Sequence, residues 1–202
     1  PLAALLGEEF LGEPVTIPGD PFGPNVLDGN IGQGLLASVT GESTAAAVFL
    51  DTQATRNGDN GFDVQVLAPD GDAFTAFLSS DLLYAILPVL TGEDPIPGPG
   101  LGGIVAADNF PGNGIELLSM GAYQSTALFA GVDASGNLND GIRANLVALD
   151  GDANAFLLDV TANDNWFGTG IDLSLTSLLW GDAVAGDRKS TRLNSSHHVV
   201  SR

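Results

Sequence analysis

Cysteine is absent from this chain of 202 residues, and basic residues are few. The lack of cysteine excludes a disulfide framework and any cysteine-based metal site. Six lysine and arginine residues face 25 aspartate and glutamate residues, which gives a formal net charge of −19 at pH 7. Hydrophobic residues make up 44% of the chain, enough for the core of one or two compact domains.

Most of the basic residues lie at the C-terminal end, in a segment with an unusual sequence. Residues 187–197 read DRKSTRLNSSH, which resembles an in-frame translation of a common sequencing-library adapter. We therefore predict that residues 187–202 are an artefactual, disordered tail, and the fold prediction leaves them out. The chain begins at Pro1 and has one methionine, Met120, so we also expect it to be a fragment of a longer reading frame.

Residues 1–186 lack histidine and lysine altogether, and their only basic side chains are Arg56 and Arg143. Without histidine, a Ser-His-Asp triad and a histidine-ligated metal site are excluded. Without lysine, a Schiff base and a P-loop are excluded. These residues include 24 acids and carry a formal charge of −22. Because phosphate backbones and anionic lipids are bound mainly by lysine and arginine, we expect neither nucleic acid nor an anionic membrane as a partner.

Long hydrophobic runs are missing as well. The longest, over residues 82–90, contains Pro88, whereas a transmembrane helix needs about 20 mostly apolar residues. The sequence therefore predicts no membrane-spanning helix.

A self-comparison of the sequence indicates an internal repeat. A shift of 80 residues aligns Gly61 with Gly141, and Asp70-Gly71-Asp72-Ala73 with Asp150-Gly151-Asp152-Ala153. Between the two copies, residues 91–103 contain three prolines and five glycines, a composition typical of a loop or linker. We predict an N-terminal segment and loop over residues 1–24, one β-repeat unit over 25–90, a linker or loop over 91–103, and a second unit over 104–186.

Within the repeats, apolar residues alternate with polar ones, which is the period of a β-strand. In Phe62–Ala68 the residues Phe62, Val64, Val66 and Ala68 share one face, and Ile142–Ala148 repeats the pattern. Asp70-Gly71 and Asp150-Gly151 each follow such a run, and this dipeptide is typical of a two-residue hairpin turn.

We predict an all-β chain of duplicated β-rich repeat units. The Asp-Gly turns favour an antiparallel sandwich or meander. Aromatic residues make up only 7% of the chain, and small apolar side chains suit closely stacked layers, so a β-solenoid is the alternative. Short helices are expected only at residues 2–11 and 80–87, where Pro88 ends the second one.

Aspartates are common in the predicted turns, where their side chains bond the neighbouring backbone. Such loops also offer oxygen ligands to calcium, which takes about six to eight of them. The candidate ligands are Asn57, Asp59, Asn60 and Asp63 in the first unit, Asn137, Asn139 and Asp140 in the second, and the pairs Asp70 with Asp72 and Asp150 with Asp152. No segment follows the full EF-hand pattern, so ordinary turns are the alternative.

Two short segments loosely resemble the calcium-binding nonapeptide of RTX repeats. They are residues 112–118, GNGIELL, and residues 168–174, GTGIDLS. Both lack the first glycine of that pattern, and Glu116 replaces its aspartate. The resemblance implies calcium as the bound ion.

Carboxylates are the only groups left for acid–base catalysis, and we predict that the chain is not an enzyme. A glycosidase needs two acids about 5 to 9.5 Å apart, and Asp51 with Asp63 is a candidate pair. The tryptophans Trp166 and Trp180 are candidates for sugar binding, because an exposed aromatic ring can stack on a sugar. The alternative is that they anchor a small core.

In composition and repeat style the chain resembles the repetitive Asp/Gly-rich β modules of bacterial secreted and cell-surface proteins. That resemblance implies an extracellular, non-enzymatic structural or adhesive module. Calcium is its candidate stabilising ion, and a glycan or another surface protein is its candidate partner. The alternative function is a carbohydrate-binding module or a fragment of a carboxylate-only glycoside hydrolase.

Overall fold

The computed structural model describes residues 24–82, 84, 102–188 and 195–201. These residues form an all-β fold in which every strand pairing is parallel. The chain winds into a β-solenoid of about five turns. The prediction of an all-β chain is confirmed, and the solenoid alternative is the correct one. The antiparallel sandwich or meander that the turns favoured is wrong.

Two sheets run along the solenoid. Sheet A contains eight strands: β1 (Asn25–Asp28), β3 (Thr44–Leu50), β4 (Thr52–Thr55), β6 (Asp72–Leu78), β7 (Ile104–Val105), β9 (Ser125–Asp133), β11 (Ala153–Thr161) and β13 (Ala183–Arg188). Sheet B contains six strands: β2 (Leu35–Thr40), β5 (Phe62–Ala68), β8 (Ile115–Gly121), β10 (Ile142–Ala148), β12 (Ile171–Ser177) and β14 (Ser195–Ser201).

The Asp-Gly dipeptides are corners between the sheets and do not form hairpins. Asp70-Gly71 connects β5 of sheet B to β6 of sheet A, and Asp150-Gly151 connects β10 to β11. Neither glycine has a positive φ angle. A Cβ atom on Gly71 would lie 1.7 Å from the carbonyl oxygen of Ser43 in the preceding turn. Glycine is therefore required here because the corners of successive turns stack closely.

The core lies between the two sheets and follows the alternation of the strands. Phe62, Ile115, Ile142 and Ile171 occupy one register position of sheet B and are fully buried. The first halves of the sheet A strands contribute small residues to the core, the buried alanines at positions 45, 47, 73, 127, 153 and 155. Later positions of sheet A contribute the fully buried Phe77 and Phe129, and the ring of Phe77 packs against that of Phe62 in sheet B.

One turn of the solenoid takes 27 to 29 residues, as the spacing from Ile115 to Ile142 and from Ile142 to Ile171 shows. The turn between β6 and β7 is longer, because the chain leaves sheet A after Leu78 and rejoins it at Ile104. The 80-residue repeat found in the sequence therefore spans one regular turn and this interrupted one. β5 pairs with β8 across the predicted linker, and one core cluster includes residues from both predicted units. The unit boundaries stay predictions.

Residues 80–82, 84 and 195–201 lie at the edges of the described region, where the sequence predicts a helix and the tail. Residues 80–82 and 84 are helical, at the start of the helix predicted over 80–87, whereas the helix predicted over 2–11 lies outside the described residues. β14 falls inside the predicted tail, where it pairs with β12, and the adapter resemblance stays a prediction. Within the described residues, no helix has the length and apolar character needed to cross a membrane.

Candidate functional site

Each turn ends its passage through sheet A with the same two-residue corner. The first residue has a positive φ angle, and the second is an asparagine. The first residues are Gly29 (φ 68°), Arg56 (53°), Asp108 (57°), Gly136 (72°) and Asp164 (53°). The asparagines, which we call the asparagine ladder, are Asn30, Asn57, Asn109, Asn137 and Asn165.

Side-chain hydrogen bonds connect the ladder from turn to turn. The Oδ1 atom of Asn109 accepts hydrogen bonds from the backbone N–H of Asn57 at 3.0 Å and from its side-chain amide at 2.9 Å. The same pair of bonds joins Asn30 to Asn57 and Asn109 to Asn137. The Nδ2 atom of Asn109 also donates to the carbonyl oxygen of Ala54 at 3.1 Å. Asn57, Asn109 and Asn137 are buried, so the bonds among these three side chains satisfy groups that water cannot reach.

A column of glycines makes room for the ladder. A Cβ atom on Gly61 would lie 2.7 Å from Nδ2 of Asn109, and one on Gly114 would lie 2.7 Å from Nδ2 of Asn137. These glycines immediately precede Phe62 and Ile115, the first residues of β5 and β8. The glycine is therefore a steric requirement of the asparagine beside it.

The residue after each ladder asparagine points away from the core, and we call this set the outer column. Its members are Ile31, Gly58, Phe110, Leu138 and Trp166. They stack because the backbone N–H groups of the last four donate to the carbonyl oxygen of the ladder asparagine one turn earlier, at 2.7 to 3.1 Å. Ile31, Phe110 and Trp166 are 97%, 65% and 75% exposed.

An open cleft of about 630 Å³ lies beside the outer column. It is lined by Ala107, Asp108, Phe110, Asp133, Ser135, Gly136, Leu138, Asp164 and Trp166. Phe110 and Trp166 are two turns apart with Leu138 between them, and Asp108 and Asp164 are two turns apart with Gly136 between them. The middle turn therefore contributes the smaller residue in both columns.

The cleft combines aromatic rings with hydrogen-bond acceptors and contains no basic side chain. The hydroxyl group of Ser135 donates to Oδ1 of Asp133 at 2.6 Å, which leaves a second carboxylate oxygen on that residue. Aromatic faces bind apolar ring surfaces, while carboxylates accept hydrogen bonds from hydroxyl groups. The arrangement suits a ligand that has both, and it disfavours an anion.

The structure places two of the predicted calcium ligands inside the asparagine ladder. Asn57 and Asn137 are 1% and 0% exposed, and their side-chain oxygens accept hydrogen bonds from neighbouring asparagines. Asn60 is also buried, and its Oδ1 atom accepts a hydrogen bond from the backbone N–H of Asn113 at 2.8 Å. These oxygens are engaged in joining the turns.

The other candidates from the same loops lie nearer the surface. The Nδ2 atom of Asn139 donates to the carbonyl oxygen of Pro111 at 2.8 Å. Oδ1 of Asp140 accepts hydrogen bonds from the backbone N–H and the hydroxyl group of Thr169, at 2.6 and 3.0 Å. Both side chains therefore join one turn to the next.

Asp63 lies beside other acids on the outer face of sheet B. Burial raises the pKa of its carboxyl group, and the negative charges of Glu116 and Asp59 raise that pKa further. The side-chain amide of Gln33 donates to Asp63 at 3.3 Å. Glu116, from the first RTX-like segment, accepts hydrogen bonds from the side-chain amides of Asn60 and Asn113.

The remaining candidate pairs lie at the opposite corners, where sheet B leads to sheet A. Oδ1 of Asp152 accepts a hydrogen bond from the backbone N–H of Asp182 at 2.9 Å. The backbone N–H groups of Asp70, Asp72 and Asp150 donate hydrogen bonds to backbone carbonyl oxygens of the preceding turn. Among the residues that the structure describes, no three acidic or histidine side chains form a group that could hold a metal ion. Calcium binding stays a prediction, which a calcium titration of chelated protein tests through the melting temperature.

Asp51, proposed with Asp63 as a catalytic pair, has a structural contact. It is buried, it adopts a φ angle of 44°, and its Oδ1 atom accepts the backbone N–H of Ser80 at 2.8 Å. Its bond to Ser80 lies where the chain leaves sheet A, whereas Asp63 belongs to sheet B. Because Asp51 is buried and engaged with Ser80, it does not line an open cleft with Asp63.

Both tryptophans are exposed, so neither anchors the core. Trp166 lines the cleft, and Trp180 lies at the opposite corner, where sheet B leads to sheet A.

Sequence reasoning missed the ladder and Phe110, although the ladder asparagines recur every 27 or 28 residues outside the interrupted turn. Comparison of the chain with protein-family models, with curated proteins and with solved structures gave no match.

Proposed function

We propose that the chain is a non-enzymatic, extracellular adhesive module that binds a glycan in the cleft beside the outer column. The observation that carries the proposal is the exposure of Phe110 and Trp166, which both line an open cleft that also contains carboxylates. Large aromatic side chains that face solvent leave apolar surface in water, and such surface marks binding sites. Ligand pockets typically combine aromatic residues with a few polar groups.

A sugar matches both parts of this cleft. The apolar face of the sugar ring packs on an aromatic ring, and its hydroxyl groups donate to carboxylate oxygens. Asp108, Asp133 and Asp164 place negative charge around the cleft, and the chain as a whole is strongly acidic. In the described part of the chain, no basic side chain lines the cleft, so an anionic glycan would meet mainly like charge there, and the proposed ligand carries no negative charge.

The solenoid supports an adhesive role because stacked turns form an extended, regular surface. The cleft-lining residues include no histidine, lysine, cysteine or arginine, so Asp108, Asp133 and Asp164 are the side chains there that could act on a glycan. In this proposal they accept hydrogen bonds from its hydroxyl groups and leave the glycan intact.

The experiment uses the full chain, immobilised neutral polysaccharides and the variant Trp166→Ala. We expect the wild type to be retained and the variant to lose at least about tenfold in affinity, which corresponds to about 1.4 kcal/mol. Trp180→Ala is the matched control, because Trp180 is equally exposed but lies outside the cleft.

Equal retention of the wild type and Trp166→Ala, or no retention of the wild type, would contradict the proposal. Incubation with the retained glycan should release no new reducing ends. Release of reducing ends that Trp166→Ala abolishes would show that the module is an enzyme.

A further inference from the structure

We infer that the ligand of the cleft is an extended, neutral β-1,4-linked glycan that lies parallel to the solenoid axis. This inference rests on the proposed glycan-binding function and adds the linkage and the direction of the chain. It follows from the spacing of the exposed side chains.

Large exposed side chains recur in the outer column at every second turn. Ile31, Phe110 and Trp166 are largely exposed. The turns between them contribute Gly58, which has no side chain, and the half-buried Leu138. The column therefore presents separate platforms with gaps between them.

The distance between platforms is set by the strands. Neighbouring parallel strands lie about 4.8 Å apart, so two turns advance about 9.6 Å along the axis. In an extended β-1,4-linked glycan, successive rings are turned over, and equivalent ring faces recur once per disaccharide. The length of that disaccharide is close to the distance between platforms. An α-1,4-linked chain coils and does not present equivalent faces along a straight line.

The carboxylates repeat with the same spacing as the aromatic rings. Asp108 precedes Phe110 by two residues, and Asp164 precedes Trp166 by two residues. Gly136 lies in the turn between the two aspartates, and a Cβ atom there would lie 2.5 Å from Oδ1 of Asp108, so the Asp108 carboxylate reaches over this glycine. The cleft thus contains two subsites that are two turns apart, each with one aromatic ring and one carboxylate, for two sugar rings of the same orientation.

The test measures binding of soluble, neutral β-1,4-linked gluco-oligosaccharides by isothermal titration calorimetry. We expect the affinity to rise at least about tenfold between the disaccharide and the tetrasaccharide, because the longer ligand engages both subsites. Neutral α-1,4-linked gluco-oligosaccharides of the same lengths should bind at least about tenfold more weakly than the β-1,4-linked tetrasaccharide.

The variant Phe110→Ala separates the two subsites. It should remove the gain from disaccharide to tetrasaccharide while the disaccharide still binds at Trp166. Phe167→Ala, which truncates a more exposed ring outside the cleft lining, should keep the full gain. Far-ultraviolet circular dichroism shows that each variant retains the fold.

The outcomes distinguish this inference from the function on which it rests. If α-1,4-linked and β-1,4-linked ligands bind equally, or if length has no effect, the inference is overturned, while loss of binding in Trp166→Ala still supports glycan binding. If no glycan of any linkage is bound, both the inference and the proposed function fail.

Discussion

The side-chain oxygen of Asn137 accepts two hydrogen bonds from Asn109, one from its backbone N–H and one from its side-chain amide, both at 3.0 Å. Asn109 is fully buried, so these bonds form away from water. The same side chain accepts two hydrogen bonds from Asn57 and donates one to the carbonyl oxygen of Ala54. One amide side chain therefore links three turns of the solenoid.

Replacement of Asn109 by alanine should destabilise the fold strongly. It leaves two donors of Asn57 and the carbonyl oxygen of Ala54 without their present partner, and a buried polar group left unsatisfied costs about 1–3 kcal/mol. We expect urea unfolding to show a loss of at least about 3 kcal/mol. Asn145→Ala, on the exposed face of β10, should change the free energy of unfolding by less than about 0.5 kcal/mol. Similar losses in both variants would show that the ladder contributes no special stability.

The glycine column gives a second, steric prediction. A Cβ atom on Gly141 would lie 2.5 Å from the carbonyl oxygen of Gly170 and 2.7 Å from Nδ2 of Asn165. Gly141→Ala should therefore cost about 3 kcal/mol or more and lower the melting temperature by at least about 6 °C. Gly32→Ala is the matched control, because a Cβ atom there meets nothing within 4 Å. If the Gly141→Ala and Gly32→Ala variants had the same melting temperature, the predicted clash would be contradicted.

The sequence was sufficient for the strands but not for their pairing. The alternation in Phe62–Ala68 places alternate side chains on one face whether the next strand is parallel or antiparallel. Asp70-Gly71 favoured a hairpin because glycine usually provides a positive φ angle in such turns. Here glycine is needed for a different reason, its contact with the backbone of Ser43, and that contact exists only once the turns are stacked.

The interrupted turn concealed the true repeat. Asn57 and Asn109 are 52 residues apart although they are neighbours in the ladder, so a search by a fixed shift aligned two turns at once. Of the site, Trp166 was recognisable because exposed aromatic residues are candidates for sugar binding. Phe110 was not, because its place beside Leu138 and Trp166 depends on the register of the turns.

The stacked phenylalanines in the core give a third prediction. The ring centroid of Phe77 lies 4.9 Å from that of Phe49 and 5.3 Å from that of Phe129. Because Phe77 is fully buried, Phe77→Ala should cost about 3–5 kcal/mol. Phe167→Ala, at a site 81% exposed, should leave the free energy of unfolding within about 0.5 kcal/mol of the wild type. Urea unfolding measures both, and a loss below about 1 kcal/mol in Phe77→Ala would show that the core repacks around the cavity.

Asp63 and Asp28 should affect the pH dependence of stability in opposite directions. Burial and the charges of Glu116 and Asp59 raise the pKa of Asp63 above its usual value of 3.8. The ionised carboxylate therefore destabilises the fold at neutral pH, and this penalty disappears as the pH falls through the raised pKa towards 3.8. We expect Asp63→Asn to be more stable than the wild type at pH 7 and to lose that advantage over this interval.

Asp28 provides the control of opposite sign. Hydrogen bonds from Arg56 and Thr55 lower its pKa, so its ionised form stabilises the fold above pH 3.8, and this contribution is lost as the pH falls through the lowered pKa. Asp28→Asn should therefore be less stable than the wild type at pH 7. Both variants remove one negative charge, so a general relief of repulsion in this acidic chain would shift them in the same direction. Melting temperatures measured from pH 7 downwards decide between these outcomes, because only local interactions give shifts of opposite sign at pH 7. The Asp63 shift is lost as the pH approaches 3.8, whereas the Asp28 shift is lost only below 3.8.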